Sequence, residues 1–252
     1  MTKVSAIIPT YNEEHNIADA ISTVNWCDEI IVVDSFSTDN TVEIANGLGA
    51  KVLSHKYEHS AAQKNWVIPQ AKNEWIVLLD ADERMSPELN EEIKNILSSD
   101  QKKSDAYWIF RENHFLGKKI KYSGWQNDKV IRLFKRDNCR YENKKVHAEV
   151  ITEGEISTLK NKIIHYTYKD FNHYLEKVNR YTTLSAKDHA HKTKKVTLYH
   201  LWIKPLARFV KHYIFNFGIL DGREGFIISK LSAYSIFLRY IKLSRMQNGE
   251  NI

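Results

Sequence analysis

Four short, mostly apolar runs in the first third of the chain each stop on polar or acidic residues: 4–8 before Pro9, 29–33 before Asp34, 51–53, and 74–79 before Asp80-Ala81-Asp82. Runs this short and rich in branched side chains predict buried strands. Between them Ile17, Ala20, Ile21 and Val24 recur at helical spacing, and Asn12, followed by Glu13 and Glu14, supplies a capping residue with carboxylates for the positive helix end. Residues 35–39 lead into a second helix reaching Ala45, with Gly47 and Gly49 placed to end it. Ser60 and Gln63 have the spacing of a capping box for a third helix that carries Lys64 and must end or kink at Pro69. Strands and helices alternating on short connections predict right-handed crossovers and an α/β fold with a mostly parallel sheet covered on both faces.

The pattern then changes. Ser86-Pro87-Glu88 opens a helix whose Leu89, Ile93, Ile96 and Leu97 share one face. From Ala106 onward, residues 107–110, 119–122, 129–134 and 146–151 predict antiparallel strands joined to the same sheet. Residues 171–192 read as a polar, basic helix. Leu198, Leu201, Trp202, Leu206, Phe209, Val210, Tyr213, Ile214 and Phe217 recur at steps of three and four, with Lys204, Arg208 and Lys211 on the flank. Asp221-Gly222-Arg223-Glu224-Gly225 interrupts this stripe before a second apolar helix over 226–243. The expected organisation is an α/β domain over 1–168, divided into halves 1–100 and 101–168, followed by a helical region over 169–252. Two roles stay open for the helical hairpin: packing on the domain or a second subunit, or lying in an anionic membrane interface.

Composition narrows the partners. The formal charge of +6 over 252 residues points to something anionic: nucleic acid, a nucleotide or an acidic membrane surface. Cys27 and Cys139 lie far apart without metal-binding spacing, which fits structural thiols in a reducing compartment. Lys211 and Lys230 break the best candidate membrane spans, and the N-terminus enters a strand directly, so a cytoplasmic location is expected.

The chemistry gathers where the strands end. Unpaired carboxylates are too costly to bury, so Asp80 and Asp82 should emerge at the carboxyl end of their strand, where open α/β sheets hold ligands. There they can share Mg²⁺ or Mn²⁺, which favour oxygen ligands and commonly arrive with a substrate phosphate. An acidic loop that merely ends a strand is the plainer alternative. Residues 10–12 and Asp34 open toward the same edge, which favours a nucleotide pocket. Neither Gly-x-Gly-x-x-Gly after the first strand nor Gly-x-x-x-x-Gly-Lys-Ser/Thr occurs, which argues against a dinucleotide enzyme and a P-loop NTPase. His147 and His165 could reach metal or diphosphate or serve as structural hydrogen-bonders. Trp125 could stack on a sugar or fill the core.

The segments Ile7-Ile8-Pro9-Thr10-Tyr11-Asn12-Glu13, Val32-Val33-Asp34-Ser35-Phe36-Ser37-Thr38-Asp39 and Leu78-Leu79-Asp80-Ala81-Asp82 resemble the three N-terminal motifs of family 2 glycosyltransferases with the GT-A fold. The resemblance implies inverting sugar transfer from a nucleotide diphosphate sugar, usually a UDP-sugar. It implies that Thr10, Asn12, Glu13 and Asp34 hold the nucleobase and that Lys64 approaches the ribose or diphosphate. Asp82 would bind the metal directly, with His165 as a further candidate ligand, and Asp80 would sit against the ribose or behind the metal's ligands. Phe36 stands where many relatives have Gly. A base must take the acceptor hydroxyl's proton; the late position of Glu149 matches where the family places it, with Asp128 as the runner-up.

Trp125-x-x-Asp128-x-x-x-Arg132-Leu133-Phe134, Arg140-Tyr141, Val146-His147-x-Glu149 and the stretch from Leu220 to Phe226 look like the branch of the family that includes lipopolysaccharide core β-1,4-glucosyltransferases. That likeness implies a lipid-linked saccharide acceptor. The first reading is therefore a metal-dependent inverting glycosyltransferase working peripherally at the inner face of the cytoplasmic membrane, with no nucleic-acid partner. A sugar-1-phosphate nucleotidyltransferase would instead need a Gly-rich loop with Arg directly after the first strand. A basic nucleic-acid-binding module would show affinity that falls steeply with salt and no need for Asp82.

Overall fold

The alternating runs fold as β1 (Val4–Thr10), α1 (Ile17–Thr23), β2 (Glu29–Asp34), α2 (Thr41–Gly47), β3 (Lys51–Ser54), α3 (Ser60–Val67) and β4 (Trp75–Leu78). The computed structural model describes residues 2–99, 103–144, 148–168 and 170–251, the His173 side chain excepted. Next come β5 (Glu83–Met85), α4 (Pro87–Ser98), β6 (Ala106–Phe115), β7 (Lys118–Lys119) and β8 (Lys129–Lys135). They are followed by β9 (Arg140–Tyr141), β10 (Val150–Ile151), β11 (Ile156–Thr158), β12 (Ile163–Tyr166) and α5 (Phe171–His189). A helical run over 199–215 has α6 (Lys204–Val210) at its centre, flanked by π-helical turns, and α7 (Gly222–Gln247) is the last element.

The chain divides into two compact units, Met1–Glu112 with Asp128–His165, and Asn113–Asn127 with Tyr166–Ile252. In the first, strand order is β3-β2-β1-β4-β8-β6-β12-β5, with β11 beside β6. The β3-β2-β1-β4 part is parallel, whereas β8 runs antiparallel to β4 and β6, and β5 antiparallel to β12. Alternate residues of β1 enter opposite cores. Val4, Ala6 and Ile8 pack with Ile17, Ala20 and Ile21 of α1 and Leu89, Ile93 and Leu97 of α4, while Ile7 packs with Ala61, Val67 and Phe134. Both faces are covered, which is why the parallel strands read as near-continuous apolar runs.

Pro9 marks the place where the sheet opens. The carbonyl of Ile7 faces β4 and accepts from Leu79, while that of Thr10 faces β2 and accepts from Ser35, so Pro9 faces the β4 side beyond the last paired residue, Leu78. Its missing N–H therefore costs no ladder bond. Strand order reverses between β1 and β4, and the gap between their carboxyl ends is the crevice in which open α/β sheets bind ligands.

Several local expectations are corrected. Asn12 does not cap α1; it has a left-handed backbone, φ 54°, and α1 starts after Asn16. Ser60 and Gln63 form no capping box, because His59 is the N-cap and its Nδ1 accepts from Ala62 N at 3.3 Å. Gln63 is buried and instead donates to Ser35 Oγ at 2.7 Å. The strand expected over 119–122 is limited to Lys118–Lys119. Of that expected over 146–151 only Val150–Ile151 is a strand, and it pairs with β9 in a separate two-stranded sheet instead of joining the main one, with Glu149 just outside it and Val146 and His147 outside the described residues.

In the second unit, Phe115, Ile120, Tyr174, Val178 and Ile228 form one core and Ala186, Tyr240 and Leu243 another. Trp125 is half-buried against the first, edge-on to Phe115, which favours packing over sugar stacking. His212 is buried, and its Nδ1 donates to the Ser123 carbonyl at 2.8 Å. Among the described residues no helix is long and apolar enough to cross a membrane.

Candidate active site

Three groups of polar side chains stand at the carboxyl ends of the parallel strands. The first joins the loop after β1 to the loop after β2, where Thr10 and Asp34 are register partners. Asn12 donates its backbone N–H to Ser37 Oγ at 2.8 Å and accepts from Thr38 N on Oδ1 at 2.8 Å. The backbone N–H of Glu13 donates to Thr41 Oγ1 at 2.8 Å. Asp34 is buried and turns its carboxylate onto its own loop, accepting from Ser37 N at 2.9 Å and Ser37 Oγ at 2.5 Å. Thr10 Oγ1 is buried without a hydrogen-bond partner among the described residues, which leaves a polar atom for a ligand to satisfy. Phe36 holds φ 62°, a backbone region that glycine adopts freely, and its side chain is exposed.

The second group is a compact ionic cluster. Lys64 Nζ, buried on α3, lies 3.0 Å from Asp80 Oδ1 and 5.2 Å from the centroid of the Tyr141 ring. Arg132 of β8 donates from Nη2 to Asp80 Oδ2, and Arg111 of β6 lies 3.6 Å from the same oxygen. Beneath them Glu83 is wholly buried, accepting from Arg132 Nε at 2.8 Å and Nη2 at 2.9 Å, and from Arg111 Nε at 2.8 Å and Nη2 at 2.6 Å. Its Oε2 also accepts from the backbone N–H of Asp80 at 3.0 Å. Three cations thus face the Asp80 and Glu83 carboxylates, with Asp128 half-buried at the rim beside Arg111. Burial alone would raise the pKa of Asp80, but the charges of Arg132, Lys64 and Arg111 outweigh it and hold the carboxyl far below the usual range. Burial opposes the charge on Arg132, and Asp80 and Glu83 more than restore it.

The third group is Asp82 with His165. β12 pairs antiparallel with β5, placing His165 opposite Glu83, and His165 Nε2 comes within 3.6 Å of Asp82 Oδ2. Both side chains are mostly buried but keep an open edge. A carboxylate and an imidazole converging beside a cationic cluster are donor types that could hold a divalent metal. No group of three or more His, Cys, Asp or Glu side chains suited to a metal occurs among the described residues.

The two candidate bases separate. Asp128 lies 3.6 Å from Arg111 Nη1 at the edge of the ionic cluster. Glu149 is exposed; its backbone N–H donates to Glu142 Oε2 at 3.2 Å, and its neighbour Val150 pairs with Tyr141. None of the cluster's hydrogen bonds or ion pairs named above involves Glu149. Spacing along the chain assigns no role to Glu83, Arg111 or Arg132. One signal is present: a lone arginine inside the apolar run Val130-Ile131-Arg132-Leu133-Phe134 has to meet a buried acid.

The sequence profile described as "Glycosyl transferase family 2" matches residues 5–152. The chain belongs to that family. This glycosyltransferase is 33% identical over 98% of its length to an "Uncharacterized glycosyltransferase" of Rickettsia typhi, 88% of which is covered. It is 26% identical to the lipopolysaccharide core biosynthesis glycosyltransferase LpsC of Rhizobium meliloti, over 95% of this chain and 91% of the relative. Among solved structures it resembles residues 1–349 of TarS from S. aureus in complex with UDP-GlcNAc, with a TM-score of 0.51 and 15% identity over 99% of this chain and 93% of that one. The glycosyltransferase has the GT-A fold expected from its motifs, a parallel sheet continued by antiparallel strands.

Proposed function

We propose that this glycosyltransferase moves a hexose, with inversion, from a UDP-sugar to a lipid-linked saccharide such as lipopolysaccharide core, working peripherally at the inner face of the cytoplasmic membrane. The observation that carries the donor side is the convergence of Asp82 and His165 with the Lys64, Arg111 and Arg132 cations beside the crevice between β1 and β4. The similarity to the Rhizobium meliloti core enzyme supports the acceptor class, and the neighbour's complex with UDP-GlcNAc supports a UDP-linked donor.

In this reading Thr10, Asn12, Glu13 and Asp34 receive the nucleobase, the Thr10 hydroxyl gaining the partner it lacks. Asp82 and His165 would hold Mg²⁺ or Mn²⁺, which when bound would supply charge neutralisation to the leaving diphosphate. Asp80, fixed by Lys64 and Arg132, faces the ribose. The acceptor hydroxyl gives its proton to Glu149, with Asp128 as the alternative base. Its oxygen bonds to the anomeric carbon as the bond from that carbon to the diphosphate oxygen breaks, and UDP departs. The fixed positive charges of Lys64 and Arg111 stabilise the negative charge that develops on the leaving group.

The test is thermal stabilisation with Mn²⁺ across UDP-glucose, UDP-galactose, UDP-GlcNAc and GDP-mannose, since a ligand bound only by the folded state raises Tm by mass action. A subset of UDP-sugars should raise Tm, and the best of them should donate label to a lipid-linked core saccharide. Stabilisation by none of them, at any metal concentration, would remove the reading.

A further inference from the structure

Residues 189–220 contain six basic side chains, Lys192, Lys194, Lys195, Lys204, Arg208 and Lys211, and no aspartate or glutamate. The same stretch carries the largest collection of exposed apolar side chains in the second unit. Leu198 is 72% exposed, Trp202 68% and Phe215 72%, with Tyr199, Ile203 and Leu206 also exposed. Isolated exposed apolar residues need no explanation, but a contiguous set on one helical run marks an interaction surface.

Internal packing does not account for this face, because it is satisfied by the opposite one. Val196 and Leu201 pack against the core of Tyr240 and Leu243, His212 is buried, Arg208 Nε donates to Ser232 Oγ at 2.9 Å, and Lys204 Nζ donates to the Tyr240 hydroxyl at 2.7 Å. Lys204 and Arg208 therefore turn inward onto α7. Lys192, Lys194, Lys195 and Lys211 are exposed, flanking the apolar face at its start and near its end.

The geometry points to a bilayer rich in anionic lipid as the occupant of this face, with Leu198, Trp202, Ile203, Leu206 and Phe215 entering the headgroup and upper acyl region and the four exposed lysines on lipid phosphates. Charge selects this occupant over a second copy of the chain. A symmetric dimer through the same face would bring two acid-free basic segments together, whereas anionic headgroups complement them. The run crosses nothing, since no described helix is long and apolar enough. The inference deepens the proposed reaction by naming the surface that meets a lipid-linked acceptor, and it rests on that reading for the acceptor alone.

Flotation of the full chain with phosphatidylglycerol–phosphatidylcholine vesicles, against pure phosphatidylcholine, tests the surface. The protein should float with the anionic vesicles and less so at high salt. Trp202→Glu combined with Leu206→Glu changes only exposed positions and should lower the bound fraction by about tenfold or more while leaving the Tm shift by UDP-sugar unchanged. Protein that floats with no vesicles, or a double variant that floats as well as the wild type, overturns the proposal. So does a wild-type dimer in light scattering that the double variant makes monomeric, since the face would then bind a second copy. Flotation without any nucleotide-sugar stabilisation would leave the membrane face standing and remove the enzymatic reading; stabilisation without flotation would do the reverse.

Discussion

Arg132 and Glu83 meet through two hydrogen bonds in a fully buried setting, Nε to Oε2 at 2.8 Å and Nη2 to Oε1 at 2.9 Å. Removing one member of a buried ion pair strands the other's charge, a loss of about 3–5 kcal/mol. Arg111 still compensates Glu83, so Arg132→Met should fall at the lower end, about 3 kcal/mol, read as a shift of the urea midpoint. Arg132→Lys should recover only part of that, because an ammonium cannot span both carboxylate oxygens and reach Asp80 together. A loss below about 1 kcal/mol for Arg132→Met would show that the pair does not organise the site.

Asp82→Ala should leave the fold intact, since the residue follows a strand end with its side chain 21% exposed. It should abolish the Mn²⁺-dependent part of the Tm shift by UDP and reduce transfer to background. His165→Ala should weaken the same shift without removing it. Full transfer by Asp82→Ala in saturating Mn²⁺ would sink the two-ligand metal site.

The base is tested by isosteric loss of basicity. Glu149→Gln should keep the nucleotide-sugar Tm shift and lower kcat by roughly 10²-fold or more. Asp128→Asn, next to Arg111, should alter donor binding and turnover together. The reverse pattern would move the base to Asp128.

Asp80 carries a pH signature. Its folded pKa is depressed, chiefly by Arg132 and then Lys64 and Arg111 acting against burial, so its contribution to stability is present above the unfolded carboxyl value of about 4 and is lost as pH falls below it. The wild type should therefore melt above Asp80→Asn at neutral pH, and the two curves should converge as the buffer is taken into the acid range. A gap in Tm that stays constant with pH would contradict this.

How far the sequence was legible follows from which interactions are local. The strands, the crossovers and the placing of Thr10, Asp34 and Asp80 at one edge are visible because apolar periodicity records burial directly. Asn12 and the Ser60/Gln63 pair look like helix caps by spacing, yet their side chains are claimed by distant partners, Thr38 for Asn12 and Ser35 for Gln63. The ionic cluster was least visible. Arg111, Arg132 and Glu83 meet only because β6 and β8 run antiparallel while β5 sits across the sheet, and no spacing along the chain encodes that meeting. The exposed stripe over 198–217 was legible as a pattern, although pattern alone could not say which of its faces α7 would cover.

Asp221 and Gly225 together fix the turn that leads into α7. The Asp221 carboxylate accepts from the backbone N–H groups of Lys121 and Tyr122, each at 3.0 Å, and from Ser123 Oγ at 2.7 Å, closing the 121–123 loop onto the start of the helix. Asp221→Ala would leave these donors without their acceptor, at about 1–3 kcal/mol for each buried group so stranded. Gly225, one turn along, has no room for a side chain: a Cβ there would lie 1.8 Å from the Gly218 carbonyl oxygen, a backbone atom that cannot swing aside. Gly225→Ala should therefore cost as much as severe overpacking, about 3 kcal/mol or more, with α7 displaced from the 218–221 turn. Both variants should lower Tm by several degrees and raise hydrogen exchange in 118–124 and 218–230 together, since the two segments share one set of bonds. If Gly225→Ala melts with the wild type, the close approach of α7 to Gly218 is not what holds this turn.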